Sequence, residues 1–383
     1  MGVALRICIT VNSAWNIWNF RLPLIQALLR DGHEVVVLAP ADECVRNLES
    51  TGCRFEYLPM DRKGLNPFVE LRFLWRIARK FREIKPDLIL GFTVKNNVFG
   101  ALVAAWLKIP FVPNVTGLGT AFMSSAALRA VTVRLYSYCF RHCPHVFFQN
   151  EDDQALFIEL RIVDAEKTTV LPGSGIDLRA FPYTDLPHNN GGTKYLMISR
   201  LLRDKGVIEY VEAAKLVKPY APDIQFLILG DFDAENRTAI SRHDLENWQN
   251  SGVIKHLGRA SDVRGYIAQV DCIVLPSYRE GAPRTLIEAA AMGRPIVSTD
   301  VPGCRSVVDE GKSGYLCEAR SPRSLADAIL RFESLDQEAR ARMGRAGRQK
   351  MEREFSVDKV IAAYRRVVEL TTRESLARRG PLV

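Results

Sequence analysis

Nowhere does this 383-residue chain string together the ~18 uninterrupted apolar residues that a membrane-crossing helix requires. The short apolar run in MGVALRICITVNS lacks a small-residue cleavage site, so it reads as a first buried strand and a cytoplasmic protein is expected. No strand-like run is followed by a Gly-x-Gly-x-x-Gly turn, which counts against nicotinamide chemistry. Short-period repeats and low-complexity tracts are missing as well. The eight cysteines (Cys8, Cys44, Cys53, Cys139, Cys143, Cys272, Cys304, Cys317) are scattered through apolar surroundings and read as free buried thiols. Cys139, His142, Cys143 and His145 cluster, but without a zinc-site spacing, and fit the end of a helix entering a strand. Asp231-Phe232-Asp233 has the letters of an acidic metal motif and reads as a loop after a strand.

Hydrophobic residues make up 47% and charged residues 25%, the balance of a globular protein with proper cores, and the length favours two domains. Short β-branched runs alternate with helical patterns: Leu5–Val11, Glu34–Leu38, Arg54–Leu58, Asp87–Phe92, Phe111–Val115 and Val146–Gln149 as strands, Arg21–Arg30, Pro67–Lys85, Asn97–Leu107 and Ala126–His142 as helices. Strands this apolar are covered on both faces, which means a parallel sheet with helices on each side. The alternation restarts after PGSGIDLRAFPYTDLPHNNGGT, an aperiodic Pro/Gly/Asn-rich stretch. The expected organisation is a domain over 1–172, a linker over 173–193, a second domain over 194–355, and a closing helix with tail over 356–383 that packs back across both. The fold class is α/β, two doubly wound domains facing across a cleft, with ligands at the carboxyl ends of the strands.

The chemistry-bearing residues follow strands of the second half. Arg200 and Lys205, in SRLLRDKG, pair a bidentate fork with a point charge and suit a diphosphate. Further on, DCIVLPS runs into YREGAPRTLIEAAAMGRPIV, where Glu280 precedes a helix and Glu288 lies inside it. Gly281, Ala282 and Pro283 form a small-residue turn at that helix's N-terminus, whose amides and dipole favour an anion. Two carboxylates flanking it can each accept hydrogen bonds from vicinal sugar hydroxyls.

Glu280 and Glu288 at this spacing, with PSYREG, Arg200, Lys205 and GRPIVSTDVPGCRSVVDEGKSGYL, resemble the retaining glycosyltransferases of family four, which have the GT-B fold. GFTVKNNVFGALVAAWLKIPFVPNVTGLGTAF and FFQNEDD are similar to the bacterial O-antigen, capsule and lipid-linked-glycan members, among them polyprenyl-diphospho-sugar N-acetylgalactosaminyltransferases. The resemblance spans nearly the whole chain. It implies a UDP-sugar co-substrate, no metal or other cofactor, and a polyprenyl-diphosphate-linked glycan as acceptor. By the same resemblance Arg200 and Lys205 hold the donor diphosphate, Glu280 meets the donor sugar, and Glu288 meets the ribose. Gly281, Ala282 and Pro283 offer amides, Thr285 and Leu286 line the nucleotide pocket, and Arg259, in KHLGRAS, lies where the base is held. Arg200, Lys205 and Glu280 carry the catalysis. One departure is the loop VNSAWNIWNFR after the first strand, which has none of the glycines common there. Trp15, Trp18 and Phe20 shape an acceptor surface instead, with Asn19, Arg21, Thr116 and Gly117 as acceptor contacts and the turn from Thr116 to Gly119 supplying flexibility. No general base is assigned.

The net charge of +8 is concentrated: between Asp61 and Arg141 there are 13 Lys/Arg against 4 Asp/Glu. Within NPFVELRFLWRIARKFREIK, Phe68, Leu71, Leu74, Trp75, Ala78 and Phe81 are assigned to one face, and Arg72, Arg76, Arg79, Lys80 and Arg82 to the others. Such a helix, through Arg72, Trp75, Arg76 and Arg79, suits an anionic membrane surface on the cytoplasmic side. Nucleic acid is not expected, since no recognisable module accompanies the charge. Two other readings remain, a UDP-sugar epimerase of the same two-domain shape and a non-catalytic sugar- or membrane-binding scaffold.

Overall fold

The β-branched runs ICIT and VVVLA do become strands wrapped by helices on both faces. The structure, a computed structural model, describes residues 3–60, 67–118, 126–187, 192–233, 236 and 238–379. It divides into two compact units, Met1–Gly175 with Val357–Val383, and Ile176–Ser356.

The first unit is built on seven parallel strands: β1 (Arg6–Thr10), β2 (Glu34–Ala39), β3 (Arg54–Tyr57), β4 (Leu88–Phe92), β5 (Phe111–Val115), β6 (Val146–Phe148) and β7 (Thr168–Val170). They lie in the order β3-β2-β1-β4-β5-β6-β7, and Ile7 pairs with Val35 on one side and Leu88 on the other. Side-chain alternation splits the core into two layers. Cys8, Val36 and Ile89 face helices Pro67–Ile84, Val94–Leu107 and Ala126–Phe140, through Phe81, Ala104 and Tyr136. Ile7, Ile9, Val37 and Leu90 face helices Ala14–Phe20 and Leu22–Arg30 and the last helix, Val357–Arg379. That last helix buries Val360, Tyr364, Val367 and Val368 here, and Tyr364 Oη accepts from Asn114 Nδ2 at 2.9 Å.

The second unit carries β8 (Lys194–Ile198), β9 (Gln225–Leu229), β10 (Lys255–His256), β11 (Cys272–Leu275), β12 (Ile296–Thr299) and β13 (Gly314–Cys317) in the order β10-β9-β8-β11-β12-β13. Its strand order reverses between β8 and β11, as the first unit's does between β1 and β4. Each reversal opens a crevice at the strands' carboxyl ends, where doubly wound sheets take ligands.

Two expectations change. The loop VNSAWNIWNFR contains helix Ala14–Phe20, started by Ser13, whose side chain accepts from Asn16 N. The stretch read as a linker is no free connector over 176–187. Ile176 N donates to Phe355 O at 2.8 Å, and the fully buried Arg294 donates to Thr184 O at 3.1 Å and Asp185 O at 2.9 Å. No described helix is long and apolar enough to cross a membrane.

Candidate functional site

The second unit's crevice is assembled from the segments leaving β8 and β11. After β8 the chain makes the 3₁₀ turn Arg203–Lys205 and then Gly206, at φ 78°. A Cβ on Gly206 would lie 2.1 Å from Pro276 O, so only glycine lets this turn press against the end of β11's segment. The contact brings Lys205 Nζ to 2.5 Å from Glu280 Oε1, with both side chains largely withdrawn from water. Glu280's loop is pinned on two sides. Ser277 Oγ and Tyr278 N donate to Asp204 O at 3.2 and 3.0 Å, and Glu280 N donates to Pro302 O at 3.3 Å. Gly303 closes the second side, where a Cβ would come within 2.5 Å of Gly281 O.

Arg200 and Glu288 are engaged elsewhere. Arg200 Nη1 donates to Asp233 Oδ2 at 2.8 Å, and Arg259 Nη1 stands 3.6 Å from Asp231 Oδ2. The loop after β9 therefore supplies counter-ions to both arginines. Solvent-exposed pairs of this kind contribute at most ~1 kcal/mol, so either guanidinium can turn to a phosphate at little cost. Glu288 is buried, 8% exposed, and accepts from Arg284 Nε at 2.7 Å, one helical turn earlier. Burial raises its carboxyl pKa, and Arg284 opposes the shift.

Two assignments in the helix Arg284–Ala291 need correction. Pro283, its N-cap, has no amide hydrogen, which leaves Gly281 and Ala282 as the residues of that turn with an N–H. Leu286 is fully buried in the core and its amide donates to Pro283 O at 3.1 Å, so its side chain lines no pocket. Thr285 is half-buried. Arg284 was legible from its i,i+4 spacing to Glu288. Tyr278 and Glu209, hydrogen-bonded at 2.7 Å, had no spacing signal, being 69 positions apart.

In the first unit Thr116 and Gly117 directly follow β5, both half-buried, while Gly119 lies outside the described residues. Asn19 Nδ2 is tied to Trp15 O at 2.9 Å. Arg21 is buried with its guanidinium 4.4 Å from the Phe92 ring centre, a packed position where a displayed contact was expected. Cys139 and Cys143 are buried thiols beside Tyr136 and Phe140 in one layer of the core, burial pushing Cys139 up to about 11.

The basic helix Pro67–Ile84 sits differently from its expected faces. Its core stripe is Phe73, Ile77, Ala78, Phe81 and Ile84, whereas Phe68, Leu71 and Trp75 are 83%, 65% and 61% exposed. Arg79 lies 5.9 Å from the Trp75 ring centre, and Arg82 lies 4.7 Å from that of Trp106, 67% exposed on the next helix. Arg72 is exposed, and Arg76 Nη1 donates to Pro59 O at 3.3 Å. Val131 and Tyr138 add exposed apolar surface on helix Ala126–Phe140.

Comparison with known proteins shows the family and the fold. Residues 184–350 match the model of glycosyl transferases group 1, and residues 17–173 that of a glycosyl transferase 4-like domain. The chain is 31% identical over 341 residues to the N,N'-diacetylbacillosaminyl-diphospho-undecaprenol alpha-1,3-N-acetylgalactosaminyltransferase of Campylobacter jejuni, covering 85% of this chain and 88% of that one. It is 25% identical over 339 residues to the UDP-Gal:alpha-D-GlcNAc-diphosphoundecaprenol alpha-1,3-galactosyltransferase of Escherichia coli, covering 81% and 85%. Among solved structures, Anabaena HepE in complex with UDP-glucose superposes with a TM-score of 0.76 at 21% identity, over 95% of this chain and 99% of that one.

Proposed function

The chain belongs to the group 1 glycosyl transferases, and from that premise we propose that it moves an N-acetylhexosamine, N-acetylgalactosamine in the first instance, from UDP to a polyprenyl-diphosphate-linked glycan, retaining configuration at the anomeric carbon. The observation that carries this reading is the Lys205–Glu280 pair at the crevice between β8 and β11. An ammonium held there neutralises charge that grows on a departing diphosphate, the kind of electrostatic stabilisation that contributes most to transfer. Arg200, released from Asp233, adds a second cation. Glu280 keeps one oxygen for Lys205 and one for a hydroxyl of the donor sugar. Glu288 meets the ribose, Gly281 and Ala282 face the phosphates, Thr285 borders the nucleotide and Arg259 the base. The bond from the anomeric carbon to the β-phosphate oxygen breaks, and the acceptor oxygen bonds from the same face. The acceptor's proton passes to the leaving phosphate, so no protein base is required. Thr116 and Gly117 contribute to the acceptor side.

Metal ions have no part in this reading, because two cationic side chains do their work. The acceptor's lipid places the enzyme on the cytoplasmic face of a membrane, held by Arg72, Trp75, Arg76 and Arg79 together with the exposed Phe68 and Leu71.

The test incubates the protein with UDP-N-acetylgalactosamine and an undecaprenyl-diphosphate-linked N-acetylhexosamine and follows UDP release and lipid-linked product. Product that depends on both substrates, at a rate unaltered by EDTA, is expected. Conversion of the donor alone to its C4 epimer would make the protein an epimerase, and EDTA-sensitive turnover would overturn the metal-free scheme.

A further inference from the structure

Lys205 and Glu280 belong to segments that a third contact joins without touching either side chain. Tyr278, two residues before Glu280, sends its hydroxyl across to Glu209 Oε1 at 2.7 Å. Glu209 stands in the first turn of helix Val207–Val217, just past Lys205 and Gly206. The same tyrosine donates its backbone N–H to Asp204 O at 3.0 Å. It therefore grips the β8 segment at one point before Lys205 and one point after it.

We propose that Tyr278 is a positioning residue for sugar transfer, acting through the Lys205–Glu280 pair, with Glu209 and Arg320 holding it in place. This inference rests on the reading of the donor site given above. Ser277 Oγ and Tyr278 N both hold the loop to the β8 segment at Asp204 O, before Gly206, and the phenol adds the tie beyond Gly206 that fixes the loop's angle to helix Val207–Val217. A catalytic ammonium gains most when it is held to within a fraction of an ångström of the charge it stabilises.

The surroundings of Tyr278 are built for this tie. Glu209 is buried, and its other oxygen, Oε2, has no hydrogen-bond partner among the described residues, so the phenol is the donor that the carboxylate depends on. Burial and the neighbouring carboxylate push the Tyr278 hydroxyl up to about 12, which keeps it protonated, and a donor, at any working pH. Arg320 lies 4.6 Å from the centre of the Tyr278 ring. Its backbone sits at φ 62°, a left-handed conformation that is uncommon for a side-chain-bearing residue.

Tyr278→Phe keeps the ring under Arg320 and deletes only the hydroxyl. In the UDP-N-acetylgalactosamine transfer assay it is expected to lower kcat about tenfold and to leave KM for the donor within about twofold, because Glu288 and its helix are untouched. Glu209→Ala should match it, and Glu209→Gln, which keeps an acceptor for the phenol, should stay within about threefold of the parent. The deciding measurement is Tyr278→Phe in a Lys205→Ala background: a residue acting through Lys205 has nothing further to lose there. A tenfold loss in both backgrounds, or an unchanged kcat in the single variant, overturns the proposal. Thermal melts accompany each assay. If Tyr278→Phe does not fold, Glu209→Ala against Glu209→Gln, each with and without Lys205→Ala, decides by the same criteria. Full turnover of Lys205→Ala alone would overturn the donor-site reading itself, an outcome distinct from failure of the Tyr278 tie.

Discussion

Glu288 sits under opposing influences: desolvation favours its neutral form, while Arg284 at 2.7 Å favours the charged one, and desolvation prevails. A folded-state pKa above the unfolded value means that the folded chain holds this proton more tightly. The associated stability is complete below the unfolded value and fades as pH climbs through the folded one. Glu288→Gln cannot ionise, so its melting temperature should gain on the parent's as pH rises from about 4 to 8, while transfer slows for want of the carboxylate. A melting difference constant across that range would refute the sign. At this scale the sequence shows which residues leave which strand, and hence that Lys205 and Glu280 flank one crevice. It does not show counter-ions. Asp233 reaches Arg200 from 33 positions away, and that partner is fixed by where β9 ends beside β8.

Helix Pro67–Ile84 shows why elements are easier to find than to orient. Apolar residues occur on two sides of it, so a stripe through Phe68, Leu71 and Trp75 is as plausible by spacing as the one through Phe73, Ile77 and Ile84. Only the sheet beneath decides. The outward aromatics leave an adhesive surface among arginines. Replacing Arg72, Arg76 and Arg79 with glutamine should weaken binding to anionic vesicles by ~100-fold, at about 1 kcal/mol per charge. Replacing Phe68, Leu71 and Trp75 with serine should reduce binding to neutral vesicles as well. Unaltered sedimentation of both variants with vesicles would remove this helix from membrane contact. The neighbouring helix, Val94–Leu107, carries a second element-scale consequence at Gly100. Alanine in a helix interior ordinarily gains ~0.5–1 kcal/mol over glycine. Here the new Cβ would lie 2.6 Å from Phe111, whose buried ring is also pressed by Gly91. Overpacking of that kind costs about 1–3 kcal/mol and should win, so Gly100→Ala is expected to unfold at lower denaturant. Strands β1 to β6 were legible to within a residue or two because apolar, β-branched runs mark them, whereas β7, β10 and β13, short and interrupted by polar residues or glycine, were not. Helix Ala14–Phe20 was not legible either, because its asparagines and tryptophans obscure the period.

Over the whole molecule the two units differ in how they are drawn from the chain. The second is one continuous piece whose ends meet, Ile176 bridging to Ser356. The first takes its final core residues, Val360, Tyr364, Val367 and Val368, from beyond that piece. Burying four such side chains contributes roughly 6–12 kcal/mol, comparable with the total stability of a domain. Residues 176–356 expressed alone should therefore fold cooperatively and bind UDP, whereas residues 1–175 alone should not give a cooperative melt. Calorimetry and UDP titration check both, and a cooperative transition from 1–175 would contradict the assignment of Val357–Arg379 to that core.

The order of birth and the order of completion are thus reversed. A ribosome elongating at about 5–20 residues per second needs on the order of 10–30 s to lay down Ile176–Ser356 before the closing helix emerges. Throughout that interval the nascent amino-terminal layer waits with an open hydrophobic seam, a natural point for a chaperone to engage. The later-born unit, needing nothing downstream, is free to finish first.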